Sequence, residues 1–144
     1  MGLLSRLTGM TSTKQPNDEV LLVHTMLLMA GADGVVEDEE IATVEAFATT
    51  LSEFKDKNFG QLVEDARKMM RKYPSVKESV AAISQFSTPA LKHKAFVIAA
   101  DIAMASGDVD ETEDALLETM QRLLEIDDRS SETIIWVLHQ KYAK

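Results

Sequence analysis

The stretch AFVIAADIAMAS, residues 95–106, is apolar on almost every side when it is wound as a helix. A helix of that kind is stable in water only when other helices enclose it. Apolar residues elsewhere recur at spacings of three and four, and no segment alternates apolar and polar residues as a half-buried strand does. The sequence therefore predicts an all-α fold.

Signals for helix starts and stops divide the chain into seven predicted helices. Asn17 or Asp18 is suited to cap the first helix, Gly34 to end it, and Pro74 to stand in the first turn of the fourth. The helices are expected at about residues 18–32, 38–51, 58–72, 74–86, 89–105, 110–126 and 130–143. We expect residues 18–144 to form one domain.

Residues 1–17 are expected to form a flexible N-terminal arm, because TSTKQPND shows no apolar periodicity. Within it, Leu3, Leu4, Leu7 and Met10 could share one side of a short helix that touches a membrane or a partner. A frayed terminus is the alternative, since so short a helix is marginal alone.

The net charge of −9 is distributed in blocks. Residues 33–53 hold seven acids and no base, residues 108–128 hold nine acids and one base, and residues 54–94 hold nine bases and four acids. Binding to phosphate backbones needs a basic surface, so nucleic acid is not expected as a partner. Blocks of opposite sign suit binding to cations or to a charged protein, and they also arise on solvated helix faces.

Features that the chain lacks exclude two further kinds of structure, namely thiol-based sites and transmembrane helices. It has no cysteine, which excludes disulfides and thiolate metal sites and fits a reducing cytoplasm. No apolar run approaches the roughly 20 residues of a transmembrane helix. A cytoplasmic protein, or one peripheral at the inner face of a membrane, is expected.

Two acidic turns repeat each other along the chain. At an offset of 73 residues, ADGVVEDEE (32–40) falls on ASGDVDETE (105–113), and eight of the 22 positions from 30 to 51 are identical. This pattern predicts a duplicated helical hairpin. Two such hairpins can pack about a pseudo-twofold axis, which could bring the two acidic turns near each other.

These residues resemble the TerB tellurite-resistance family. The resemblance rests on an apolar helix, ADG, acids with a glutamate six residues after the glycine, and a second amphipathic helix, and it covers about residues 18–127. It implies an all-helical duplicated domain that acts in stress operons, against tellurite, phage and colicins, through complexes at the inner face of the membrane. It also implies chelation of divalent metal by the acidic turns, through Asp33, Gly34 and Glu40 in the first turn and Gly107, Asp108 and Glu113 in the second. Ser106 stands where the first turn has Asp33.

The acids of both turns are candidate metal ligands. Calcium and magnesium prefer oxygen donors, which the turns supply in Asp33, Glu37, Glu40, Asp108, Asp110 and Glu113. Neither turn has EF-hand spacing. If the turns bind a cation, the first should bind it more tightly because it keeps the aspartate. The alternative is that these acids only cap helices, since Asp110 and Glu113 have the spacing of a capping box.

Other candidate positions have simpler explanations. Asp101 is expected as a buried acid within the enclosed helix, where pairing or hydrogen bonding is favoured over metal ligation. Arg67, Lys68, Arg71 and Lys72 form a basic stripe that is either a contact face for lipid headgroups and acidic partners or a solvated surface.

No nucleophile motif, phosphate-binding glycine loop or metalloprotease motif is present, so an enzyme is not expected. The leading hypothesis is a non-enzymatic stress-resistance module that binds partner proteins in a membrane-associated complex, with a divalent cation of the calcium or magnesium class at the acidic turns. The competing hypothesis is a helical protein–protein adaptor without metal. A hydrolase that uses clustered carboxylates is the third.

Overall fold

A computed structural model of the chain describes residues 17–32 and 37–143. Within these ranges the protein is all-helical, with seven α-helices, two 3-10 turns and no strand. This confirms the predicted fold class and number of helices. The predictions made for Asp33, for Gly34 and for the arm ahead of Asn17 lie outside the described residues.

The helices follow one another with short connections. They are α1 (Asp18–Ala30), α2 (Asp38–Ala48), α3 (Phe59–Arg71), α4 (Val76–Ala81), α5 (Pro89–Ala105), α6 (Glu111–Leu123) and α7 (Asp128–Lys141), with 3-10 turns at Ser52–Phe54 and Ala82–Gln85.

Side-chain caps fix most of the helix starts. At α1 the side chain of Asn17 accepts a hydrogen bond from the Glu19 N–H at 2.7 Å, which settles the choice between Asn17 and Asp18. Such bonds satisfy backbone N–H groups that lack a partner in the first turn. The other helices with a side-chain cap begin after Asn58, Ser75, Thr88, Asp110 and Asp127.

The helix α1 lies at the centre of the apolar core. Every residue from Leu21 to Leu27 is buried, and α1 packs against α2, α3 and α5. The helix α5 is enclosed as expected, with Phe96 and Ala99 among its buried residues, and it also packs against α6 and α7. The spacing of Val20, Val23, Leu27 and Ala30 predicts one apolar row on α1. The structure instead buries nearly the whole circumference of this helix.

The fourth predicted helix was wrong in its bounds. The hydroxyl of Ser75 caps α4 by accepting a hydrogen bond from the Glu78 N–H at 3.2 Å, so Pro74 precedes the cap instead of standing in the first turn. The α-helix ends at Ala81, and a tighter 3-10 turn continues to Gln85.

The two hairpins whose repetition the sequence predicts are α1–α2 and α5–α6. Their long first helices, α1 and α5, pack directly against each other. The duplication and the pseudo-twofold axis stay predictions.

Candidate functional site

The turn between α5 and α6 is shaped by a glycine and a serine. Gly107 has a φ of +84°, a backbone conformation that residues with a Cβ rarely adopt. The hydroxyl of Ser106 lies 3.0 Å from the Ala103 carbonyl and 3.2 Å from that of Asp108. The chain therefore reverses within a few residues and delivers Asp110 to the start of α6.

A capping box begins α6. The Glu113 N–H donates to Asp110 Oδ1 at 2.8 Å, and the Asp110 N–H donates to Glu113 Oε1 at 3.2 Å. The two carboxylates satisfy each other's backbone donors, as the spacing predicts. Glu113 is thereby held by its backbone partner, with its side chain beside the end of α5.

A related arrangement begins α2. Gly31 ends α1 with its N–H bonded to the Leu27 carbonyl at 2.9 Å. After the turn, the Glu37 N–H donates to Glu40 Oε2 at 3.1 Å. Glu40 thus occupies the position in α2 that Glu113 occupies in α6.

The two arrangements meet at one cavity of about 330 Å³, here called the acidic cleft. Its floor is apolar, with Met29 from α1 and Ile102 from α5 both buried. Three of the residues that line it are acidic, namely Glu39, Glu40 and Glu113. The remaining lining residues are Ala30, Thr43, Ala105 and Ser106. The acids of both hairpins therefore face a shared space.

The electrostatics of the acidic cleft disfavour a bare negative charge at Glu113. Burial raises the pKa of this carboxyl above its usual value, and the negative charges of Asp110 and Asp108 add to that rise. The hydrogen bond from the Asp110 N–H opposes it. A positive group in the cleft would relieve this cost.

The chemistry of the cleft suits a hard cation, but its donor set is incomplete. Among residues 17–32 and 37–143, no group of three or more histidine, aspartate or glutamate side chains is arranged to hold a metal ion. Calcium needs six to eight oxygen ligands, and magnesium keeps several waters. The described carboxylates alone would therefore give a weak, largely hydrated site.

The structure brings together only part of the predicted ligand set. Glu40 and Glu113 line the acidic cleft, whereas Glu37, Asp108 and Asp110 are exposed at the helix starts and do not line it. Asp33 lies outside the described residues. Glu39 also lines the cleft and was not among the predicted ligands, and its only sequence signal is its place beside Glu40 in the same run of acids.

Asp101 is half-buried and not fully buried as expected. Its side chain is 17% exposed and accepts hydrogen bonds from Lys141 Nζ, at 2.9 and 3.2 Å, and from the Tyr142 hydroxyl. The carboxylate thus has partners within the chain, and it ties the end of α7 to the middle of α5.

The basic stripe lies on α3 and at its end, away from the acidic cleft. Lys68, Arg71 and Lys72 are exposed, and Arg67 is half-buried with its Nη1 4.0 Å from Glu64 Oε1. None of these four side chains lines the cleft. The stripe remains a candidate contact face.

Comparison with known proteins gives one result. The family profile described as tellurite resistance protein TerB matches residues 19–134, which is most of the chain. Searches of curated proteins and of solved structures found no match.

In the part of the chain that the structure describes, no helix is long and apolar enough to cross a membrane.

Proposed function

Because this chain belongs to the TerB tellurite-resistance family, we propose that it is a non-enzymatic binding module of a membrane-associated stress-resistance complex. In this proposal the acidic cleft holds a divalent cation, and the surface around it contacts a partner protein. The observation that supports it best is the meeting of Glu39, Glu40 and Glu113, from two separate hairpins, at one cavity.

Capping alone does not account for that meeting. A capping box stabilises its own helix whichever way the helix faces. Here the glutamates of both boxes face the same cavity, and burial raises the pKa of one of them. A bound cation would stabilise this arrangement, with water completing the coordination shell.

The competing function is an adaptor that binds protein through the same surface without metal. The observation that favours it is the lack, in the described ranges, of three carboxylates arranged around one point. The acids would then serve as caps and as a surface for a basic partner.

A metal titration separates the two functions. Calcium, magnesium, manganese and zinc are each titrated into chelator-treated protein while the melting temperature and the heat of binding are measured. The cation proposal expects saturable stabilisation, about 2.7 kcal/mol at a metal concentration of 100 times Kd. No response up to millimolar metal would exclude it and leave the adaptor.

The matched variant is Glu40→Gln combined with Glu113→Gln. Glutamine can still accept the capping hydrogen bond, so the double variant removes charge from the cleft and keeps the caps. We expect the metal response to disappear. The control is Asp127→Asn, which removes an acid from the N-cap of α7, outside the cleft, and should keep the response.

The partner is tested by affinity capture from bacterial membranes with the same proteins. If the cleft contributes to binding, the double variant should lose a partner that wild type and Asp127→Asn retain. A variant with glutamine at Arg67, Lys68, Arg71 and Lys72 tests the basic stripe separately. Equal capture by all variants would contradict a role for either surface.

A further inference from the structure

A second cavity, of about 500 Å³, has a separate set of lining residues and is here called the apolar groove. It lies among the ends of α1 and α3, the short helix α4 and the start of α6. The side chains that line it include Leu27, Leu28, Met70, Tyr73, Val76, Val80 and Leu116. Its volume is within the roughly 300–1,000 Å³ of clefts that bury ligands.

The rim of the apolar groove exposes apolar surface to water. Val76 is 71% exposed, although it begins α4 directly beside the groove. Leu28, Met70 and Leu116 are only half-buried. A concave apolar surface of this kind commonly receives the apolar face of a helix.

We propose that residues 3–10 of this same chain dock in the apolar groove as an amphipathic helical segment. Leu3, Leu7 and Met10 follow one another at spacings of four and three, which is the pattern of anchors with which a helix fills a groove. Leu4 borders this row. Ser5 lies on the opposite side, so the segment has one face to bury and one to leave in water.

The chain length permits this docking. Leu27 and Leu28 lie about 15 Å along α1 from Asn17, at about 1.5 Å per residue. Residues 11–16 can span up to about 20 Å when extended. A segment at residues 3–10, about 12 Å long as a helix, can therefore reach the groove without disturbing α1.

The charges beyond the two sides of the groove set the orientation. The residues that line the groove are uncharged, but beyond its α3 side the last turn of α3 carries Lys68 and Arg71. Beyond its α6 side the first turn of α6 carries Glu111 and Asp114, whereas Glu113 lines the acidic cleft. Arg6 flanks the row of apolar anchors and is the one charged residue of the segment. Repulsion from the first side and attraction to the second direct Arg6 toward α6.

The absence of cysteine from the sequence makes the docking measurable with one nitroxide label. The label is attached to Thr8→Cys, off the apolar row, and the amide signals of the full chain are recorded by NMR. We expect loss of intensity at Val76, Val80 and Leu28, and none along α7. Adding Leu7→Asp should restore the lost signals, whereas Ser5→Asp on the opposite face should leave them broadened.

Two results would overturn the proposal. One is an unchanged spectrum at α4, which would leave the groove for another protein or a lipid. The other comes from a mixture of isotope-labelled chains that carry no nitroxide with spin-labelled chains that carry no isotope. Broadening of the isotope-labelled signals in that mixture would show that the segment docks on a second copy. Since Leu7→Asp lies ahead of α1, unfolding of the core does not complicate either result.

Discussion

His24 is a titratable side chain in the centre of the core. It is fully buried in α1, and its Nε2 lies 2.8 Å from the Ser79 carbonyl oxygen, so Nε2 carries the proton that is donated. Its Nδ1 is buried and has no hydrogen-bond partner among the described residues. Burial lowers the pKa of His24, and the bond to Ser79 only partly opposes this. The native state therefore holds the neutral ring.

The protonation of His24 should make folding sensitive to acid. The unfolded chain takes up this proton near pH 6.5, whereas the native chain resists it. The stabilisation is complete above about pH 6.5 and is lost as the pH falls from there toward the native pKa. Urea unfolding from about pH 7.5 to about pH 5 should show a falling free energy of unfolding.

The fall should be smaller in His24→Gln, whose amide does not titrate and can still donate to Ser79. His139→Gln replaces an exposed histidine and should keep the full fall. An equal pH dependence in all three proteins would show that His24 is not its source.

The sequence predicts hydrogen bonds between nearby residues better than it predicts which distant groups surround a side chain. The capping box of Asp110 and Glu113 follows from spacing alone, because its partners lie within one helical turn. The burial of His24 does not, since α4 supplies its carbonyl partner from 55 residues away. Periodicity shows which residues share a face but not which distant group meets them.

The helix α7 has one main packing partner in this fold. It packs mainly on α5, and Trp136 on its outer side is 64% exposed. At its end, Lys141 and Tyr142 both donate to Asp101 of α5. The hydrogen bond to Asp101 raises the pKa of Lys141, and burial followed by the same carboxylate raises that of Tyr142. This polar junction should decide how firmly α7 is attached.

Replacing Asp101 with alanine should loosen α7 before the rest of the protein. Two donors lose their acceptor but can still reach water, so we expect a loss of about 0.5–1.5 kcal/mol in the free energy of unfolding. Hydrogen exchange should accelerate along α7 and remain slow in α1. Tyr142→Phe, which removes only one of the donors, should have a smaller effect. Uniform acceleration in all helices would contradict a local role.

How accurately the bounds of each helix were predicted depended on the capping residues and prolines at its ends. The helix α5 was predicted at its observed bounds, because Thr88 caps it and Pro89 opens it. The helix α2 was predicted to end at Leu51 but ends at Ala48. Directly after Ala48, the hydroxyls of Thr49 and Thr50 donate to carbonyls three residues back. The apolar row continued past this end because Leu51 also packs on the core, so periodicity alone overran the helix.

The acidic cleft forms only when the two hairpins pack together in the folded molecule. Glu113 is therefore desolvated in the native state and hydrated in the unfolded chain, and burial raises its native pKa. A carboxyl with a raised native pKa contributes stability below its unfolded pKa of about 4.3, and that contribution is lost as the pH rises through the native pKa.

Glu113→Gln should remove this dependence. The free energy of unfolding of the variant, minus that of wild type, should be higher at about pH 7 than at about pH 4. Urea unfolding at both pH values measures this difference. Glu118→Gln, on the exposed side of the same helix, should change little between them. A difference for Glu113→Gln that does not vary with pH would show that the cleft leaves this carboxyl unperturbed.

The shared cleft could not be placed from sequence. The 73-residue repeat indicates two similar hairpins, but their relative orientation comes from the packing of α1 on α5, which is non-local. The same holds for the apolar groove, whose walls come from four helices. Local patterns predict elements, and sites between elements need the tertiary structure.

The central position of α1 also has a consequence for synthesis on the ribosome. This helix emerges early, yet α5, which covers it, begins only at Pro89. At about 5–20 residues per second, translation from Asp18 to Pro89 takes roughly 4–14 s. During that interval α2 and α3 can already pack on this helix, but the apolar side that α5 covers stays exposed to water. The nascent chain should therefore be a client for holding chaperones, and dependence on them should be relieved once residue 105 has cleared the exit tunnel.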